Sequence, residues 1–261
     1  MQRALLGGLL LGTTGGLLGS FTVLRQLSFF GDALGHSALL GISLGVLLGI
    51  SPNVILIPFL IVFAIGVTYL LEKTRLWNDA LLNIVYSASL ALSIIILSFV
   101  KDYQGGINQL LFGDVLAIRP TDLIFNSLLL GVCIVFLGLT LRAQMLVTLS
   151  ESLAKVRGIA VRQHELAFVI LLSLVVAVAI KSVGVLLVSA FIVMPACTAR
   201  LLSDRFSQYV AISVGLGGGC AIAGVLLSAL FNLPSGPTIV MTQFTLFLIA
   251  MLWPVRRKVM L

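Results

Sequence analysis

Apolar residues in this chain come in long, nearly unbroken runs, without the strict alternation that marks half-buried or barrel strands. Nine runs stand out: 4–24, 33–50, 54–71, 80–100, 123–141, 166–180, 183–202, 208–231 and 237–254. Most are close to the roughly 20 residues that a helix needs to cross the hydrocarbon core of a bilayer. Lipid offers no hydrogen-bond partners to the backbone, so the runs are predicted to be helices. The first opens at Ala4 and lacks a small-residue cleavage site before a polar stretch, so it reads as a span and not as a removable signal. Two pairs of runs are divided only by short breaks, Ser51-Pro52-Asn53 and Lys181-Ser182, and both breaks read as tight hairpin turns. Nine spans is the preferred count and eight the alternative. The expected fold is all-α: one polytopic transmembrane bundle over residues 1–261, with no room for a separate soluble catalytic domain.

Orientation follows from the basic residues. With the N-terminus outside, the inner ends and loops hold Arg25, Lys73, Arg75, Arg142, Lys155, Arg157, Arg162, Arg200, Arg205, Arg256, Arg257 and Lys258. The outer side holds only Arg3, Lys101, Arg119 and Lys181. The positive-inside rule therefore places the C-terminus in the cytoplasm. Two loops are long: 101–122, expected outside, and the polar, basic 142–165, expected inside.

Composition agrees. Sixty per cent of residues are hydrophobic and 10% charged, against roughly 25% charged in soluble domains. Mean hydropathy is +1.20. The net charge of +7 comes without a basic face interleaved with aromatics, so it reads as membrane-side loops and not as nucleic-acid binding. Cys133, Cys197 and Cys220 lie in apolar runs with no CxxC spacing and read as buried thiols. Gly8, Gly12 and Gly16 recur every four residues, as do Gly41, Gly45 and Gly49, a pattern that lets helix backbones approach closely. No Gly-x-x-x-x-Gly-Lys-Ser/Thr sequence is present, so the chain carries no P-loop for ATP.

Ionisable residues inside apolar runs carry the functional signal. Asp32 and His36 sit at the start of the second run, four residues apart and so on one helical face. Stepping 100° per residue from Asp32 puts His36 at about 40° and Ser43 at about 20°, with Gly41, Gly45 and Gly49 at about 180–260°. The glycines are expected to pack on one side while the polar set lines a path on another. A carboxylate and an imidazole suit Zn²⁺ or Mn²⁺. The competing reading is a helix-start Asp that satisfies backbone donors, with His36 in a structural hydrogen bond. An ionisable group within a membrane costs at least roughly 2.5–3.5 kcal/mol, which makes function the stronger default there. Two ligands cannot close a four-coordinate zinc site, so a symmetric dimer supplying the pair twice is expected.

Other candidates are weaker. His164-Glu165 is not HExxH and reads as a solvated interface. Met194 and Cys197 flank Pro195 and read as core, with Pro195 kinking or ending its helix. No catalytic pair is evident, so no enzyme activity is expected of this chain alone. The stretch from Ala199 to Phe206 mixes charge with Leu201, Leu202 and Phe206, which are read as exposed, and it suits either an ordinary interfacial loop or a docking surface.

The run Gly31-Asp32-Ala33-Leu34-Gly35-His36-Ser37-Ala38-Leu39-Leu40-Gly41 resembles the signature of zinc/manganese ABC-transporter permeases. So do Val183 to Ala190 and the following Met194-Pro195-Ala196-Cys197-Thr198-Ala199-Arg200-Leu201-Leu202. The resemblance extends from Gly19 to Pro237, and Gln109 to Ala117 is similar to the bacterial high-affinity zinc-uptake branch. It implies a fold similar to type II ABC importer permeases in a bacterial cytoplasmic membrane. It further implies a homodimeric pathway, a cytoplasmic ATP-binding subunit, an external metal-binding protein, and no permanently bound cofactor. Asp32 and His36 would line the metal path. Ser203 to Tyr209 would be the segment that docks into the ATPase, carried by Arg200, Ser203, Asp204, Arg205 and Phe206. Zinc is the expected cargo, with manganese and iron open. A secondary carrier or channel, or a siderophore or cobalamin permease, remains the alternative. Cys197 departs from the family pattern, where alanine is common.

Overall fold

The computed structural model describes residues 1–74, 76–99, 118–185 and 187–252. Among these residues there are ten helices and no strand: α1 (Gln2–Leu24), α2 (Ser28–Leu47), α3 (Pro52–Lys73), α4 (Asn78–Ser98), α5 (Pro120–Leu149), α6 (Glu151–Val156), α7 (Val161–Val183), α8 (Val188–Leu202), α9 (Phe206–Phe231) and α10 (Ser235–Leu252). Eight are long and apolar enough to cross a membrane. The ninth apolar segment, α8, has 15 residues. At 1.5 Å per residue it rises only about 22 Å, short of the roughly 30 Å hydrocarbon core.

This resolves the count of eight or nine. The chain does not turn at Lys181-Ser182, which are still helical, but at Gly184, whose φ of 87° ends α7. It then folds back into the bundle, where the Val185 carbonyl lies close to Gly35 of α2. α8 therefore starts inside the protein and runs out again. Eight full spans and one partial span preserve the alternation expected for nine. A turn does part α2 from α3, but it runs over Leu48–Ser51 and not over Ser51–Asn53; Pro52 already opens α3, where its missing N–H costs nothing.

The helix ends sort into two levels. Arg25, just after α1, is held at one of them. Its Nε donates to Thr148 Oγ1 at 3.1 Å, and its Nη2 donates to the Gln144 side-chain oxygen, both on α5. The guanidinium lies 4.3 Å from the centre of the Phe168 ring on α7. Burial pulls its pKa down to about 10, against the opposing pull of the Glu165 charge. Phe21 of α1 also meets Phe206 of α9, ring centres 5.6 Å apart. This level, the Arg25 end, thus gathers the C-termini of α1 and α5 with the N-termini of α7 and α9. Arg25→Leu leaves two α5 acceptors without their donor and is expected to cost about 2 kcal/mol, the scale of hydrogen bonds to a charged group. Thermal unfolding of the purified protein in detergent checks this; an unchanged midpoint would show that the hub holds nothing.

α1, α2 and α7 are the most buried spans, whereas α4 and α5 present most of their surface outward. The two most buried, α1 and α2, are among the least apolar, because only the outer helices must satisfy lipid. Small residues make the central contacts. Gly12 lies against the Gly217 backbone, Gly16 against Ser213, and Gly19 against Ile192. Ser213 Oγ donates to the Gly16 carbonyl at 2.6 Å, and Tyr209 Oη donates to the Ser20 carbonyl at 3.1 Å. The first glycine row therefore packs helices, as expected. In the second row Gly41 and Gly45 approach Phe59 and Ile55 of α3, but Gly49 lies beyond α2 at φ 69°, in open space. It serves the turn, since its backbone conformation suits glycine.

Two further expectations change, and a third falls outside the described residues. The 142–165 loop is largely helix, because α5 continues to Leu149, α6 follows, and α7 begins at Val161. Pro195 does not end its helix; α8 runs through it. Most of the 101–122 loop, with the zinc-branch stretch Gln109 to Ala117, lies outside the described residues; Ile118 is buried and approaches Gly7.

Candidate functional site

Helix α2 begins at Ser28, several residues earlier than the apolar run suggests. Asp32 therefore stands in the second turn, and the N-terminus has no side-chain cap, so Asp32 does not serve the backbone there. Gly31 and Gly35 explain its direction. Each directly precedes a polar residue, so the glycine pair and the Asp/His pair lie about 100° apart on the helix. The glycines face α8 and the turn that leads into it: a Cβ on Gly31 would touch Ser189 at 3.6 Å, and one on Gly35 would meet the Val185 carbonyl at 3.0 Å and Val188 at 3.4 Å. That close approach turns Asp32 and His36 away from α8 and towards α4.

There they line a pocket of about 350 Å³. α4 contributes Asp79, Leu82, Asn83 and Tyr86, and α2 adds Phe29 and Ala33. Asp32 and His36 are half-buried. The His36 ring meets Tyr86 edge-on, with centres 4.5 Å apart and planes at 66°. Its Nδ1 is buried and has no hydrogen-bond partner. An imidazole clamped in this way, with an unspent nitrogen, is chemically able to take up a ligand or a metal. Among the described residues no group of three or more His, Cys, Asp or Glu is gathered as for a metal ion. The pocket is an open, incomplete donor set, not a closed structural site.

The structure does not bring Ser43 to this pocket. Its hydroxyl is buried and donates to the Leu40 carbonyl at 2.9 Å. Met194 and Cys197, on α8, do not line it either. Glu165, read as solvated, is half-buried and lines a second pocket of about 580 Å³ at the Arg25 end with Arg25, Glu72, Asn78, Thr148 and Glu151. Residues that sequence reasoning missed are Asp79, Asn83 and Tyr86. Asn83 is a polar residue within an apolar run, which was a signal, but nothing local pairs α4 with α2.

The expected docking segment forms no helix of its own. Ser203, Asp204 and Arg205 link α8 to α9, and Phe206 is the first residue of α9. Arg200, Leu201, Leu202, Asp204 and Arg205 are exposed at the Arg25 end. Phe206 is not: it packs against Phe21 and Tyr209. The link is thus braced directly on α1.

A helical bundle of many membrane-spanning segments, with an acid–imidazole pair lining a pocket between two of them, defines a polytopic membrane protein. The chain belongs to the ABC 3 transport family, which it matches over residues 1–254. It is 32% identical over 253 residues to a manganese transport system membrane protein, MntC, of Listeria monocytogenes, covering 97% of this chain and 90% of that one. It is 33% identical over 250 residues to the high-affinity zinc uptake system membrane protein ZnuB of Haemophilus influenzae, covering 95% of each. Among solved structures, PsaBC from Streptococcus pneumoniae in complex with Fab is similar at a TM-score of 0.83 and 30% identity, covering 95% of this chain and 90% of that chain.

Proposed function

We propose that this chain is the membrane-spanning subunit of an ABC importer that carries a divalent metal, zinc or manganese, into the cytoplasm. The observation that carries this is the placement of Asp32 and His36 side by side on a buried helix, facing an open pocket with unspent donor capacity. Relatives named for manganese and for zinc transport stand at similar identity and support the cargo class. Asp and His are compatible with either ion, and affinity order alone does not set selectivity.

The driving energy comes from a partner ATPase, in keeping with the absence of a P-loop. The Arg25 end is cytoplasmic on this reading: among the described residues Arg25, Lys73, Arg142, Lys155, Arg157, Arg162, Arg200 and Arg205 lie towards it, against Arg3, Arg119 and Lys181 towards the other end. The exposed residues Arg200, Asp204 and Arg205, with Ser203, then present a surface to the ATPase. Phe206, edge-on to Phe21, passes any displacement of that link to α1 and α9. Rocking of the helices around Asp32 and His36 changes which side can reach the pocket. A second copy of the chain supplies the same pair again, which completes four donors and balances the ion's charge. An external binding protein delivers the ion.

The test is uptake of radiolabelled Zn²⁺ and Mn²⁺, offered separately, in cells lacking their own zinc and manganese importers. The chain is expressed with its cognate ATPase and binding protein, or without the ATPase. Uptake of one ion that vanishes without the ATPase is expected. Uptake that persists without it would replace this reading with a secondary carrier.

A further inference from the structure

Three polar residues on α4 remain to be accounted for. Asp79, Asn83 and Ser87 follow one another at four-residue spacing, within an arc of about 80° on the helix. All three are exposed on the protein surface. Ser87 Oγ donates to Asn83 Oδ1 at 3.3 Å, so the row is connected. Asp79 alone has an ordinary explanation, since an acid in the first turn of a helix offsets the backbone dipole. That does not extend to Asn83 and Ser87, which stand further into a membrane-spanning helix.

Polar side chains within a bilayer face a partner or a water-filled cavity, because lipid leaves them unsatisfied. Between Asp79 and the last turn of α4 the other exposed residues are apolar, including Ile84 and Leu92, and Ser98 in that last turn donates to the Ile95 carbonyl of its own helix. The polar arc is also the side that meets the pocket: Asp79 and Asn83 line it with Asp32 and His36, and Tyr86 between Asn83 and Ser87 holds the His36 ring. Above Ser87 the same side turns apolar, with Leu90, Ile94 and Leu97. The exposed, connected donors therefore run from the Arg25 end of α4 up to Ser87, at the level of His36, whereas Ser89 and Ser93 are buried. Asn78, next to Asp79, already lines the pocket at that end.

We propose that Asp79, Asn83 and Ser87 form the second wall of the metal path, an oxygen-donor ladder that leads a divalent ion between the Asp32/His36 pair and the Arg25 end. This rests on the reading of Asp32 and His36 as path residues. Carboxylate, amide and hydroxyl oxygens bind a divalent ion weakly and in sequence, which suits release better than retention. Asp79, at the end of the ladder, supplies the only charge on it.

The intact transporter in membrane vesicles tests this by cysteine accessibility. Asn83→Cys and Ser87→Cys are treated with a charged methanethiosulfonate, and modification is read at the introduced site by mass spectrometry. Ile84→Cys and Leu92→Cys on the same helix serve as lipid-side references. Faster labelling at positions 83 and 87 than at both references, slowed by Mn²⁺, is expected. Labelling no faster than the references, or indifferent to Mn²⁺, overturns the ladder. In the same complex Asp79→Asn is expected to lower maximal uptake about tenfold, the scale of losing an outer partner of a metal site, with KM little changed and activity kept by Asp79→Glu. Equal uptake by Asp79→Asn and wild type would count against the ladder. Asp32→Ala and His36→Ala separate the two claims. If they abolish uptake while α4 stays unlabelled, the ladder alone falls. If they transport normally while α4 is labelled and protected, the reading of the α2 pair fails, and with it the ladder as a route from that pair, although α4 still lines water.

Discussion

His36→Ala and Asp32→Ala are each expected to abolish metal uptake at wild-type membrane abundance. The chain brings only these two residues of α2 to the pocket as a strong ligand pair, so removing one halves the set. No neighbouring His or Cys is gathered there as a substitute among the described residues. Loss of an outer partner of a metal site already costs roughly tenfold to a hundredfold, and loss of a direct ligand exceeds that. Neither substitution is expected to unfold the bundle, because His36 has an unpartnered nitrogen and both residues are half-buried. Asp32→Asn separates charge from shape: it keeps the volume and removes the carboxylate that offsets the ion, so uptake is expected to fall nearly as far. His36→Cys replaces a borderline ligand with a soft one and shifts preference from manganese towards zinc. Initial uptake rates of radiolabelled Zn²⁺ and Mn²⁺, normalised to transporter in the membrane, decide the matter. Near-normal transport by His36→Ala would remove α2 from the pathway.

Gly12→Val and Gly217→Val are expected to destabilise the bundle severely. Each glycine lies against the other's backbone, and a Cβ on either would overlap the opposite carbonyl group. Backbone atoms in paired helices cannot rotate aside as a side chain can, so α1 and α9 must separate. Overpacking in a core costs typically 1–3 kcal/mol, and here the expected loss is at the top of that range or beyond. Separation would also stretch the Ser213-to-Gly16 and Tyr209-to-Ser20 hydrogen bonds that join the same two helices. Gly215→Ala, on the same α9 but with nothing near its missing Cβ, is the control and is expected to stay within about 0.5 kcal/mol. Thermal unfolding in detergent and abundance in the membrane report both. Equal stability of Gly12→Val and Gly215→Ala would show that the contact is dispensable.

The two glycine rows and the Asp32/His36 pair were legible in the sequence for different reasons. Glycine at four-residue spacing needs only helical periodicity to become a packing face, and Gly8, Gly12 and Gly16 did so. Gly49 did not, because the helix ends before it and a turn claims the residue instead. Asp32 and His36 stood out because ionisable groups are expensive in an apolar run. Ser43 shared their face on the helical wheel yet bonds its own backbone, an option open to any serine within a helix. The hairpin expected at Lys181-Ser182 moved to Gly184 for a similarly local reason: a lysine and a serine can stay helical, while a glycine at positive φ ends the helix.

The sequence by itself determined that the chain is a helical membrane bundle, and it singled out Asp32 and His36 as the ionisable pair within an apolar run. Those properties depend on hydrophobic length, backbone satisfaction and the cost of buried charge, all of which act along one helix at a time. The tertiary structure decided the rest. It set α8 as a partial span, because Val185 folds back onto Gly35. It made Arg25 the hub of three helices and placed Phe206 against Phe21. It also put α4 opposite the Asp32/His36 pair, which gave Asp79, Asn83 and Tyr86 their place at the pocket. Helix pairing in a membrane has no strong hydrophobic signature, since lipid is as apolar as a neighbouring helix. Which helices meet is settled by close packing across the whole bundle, and periodicity within one segment does not record it.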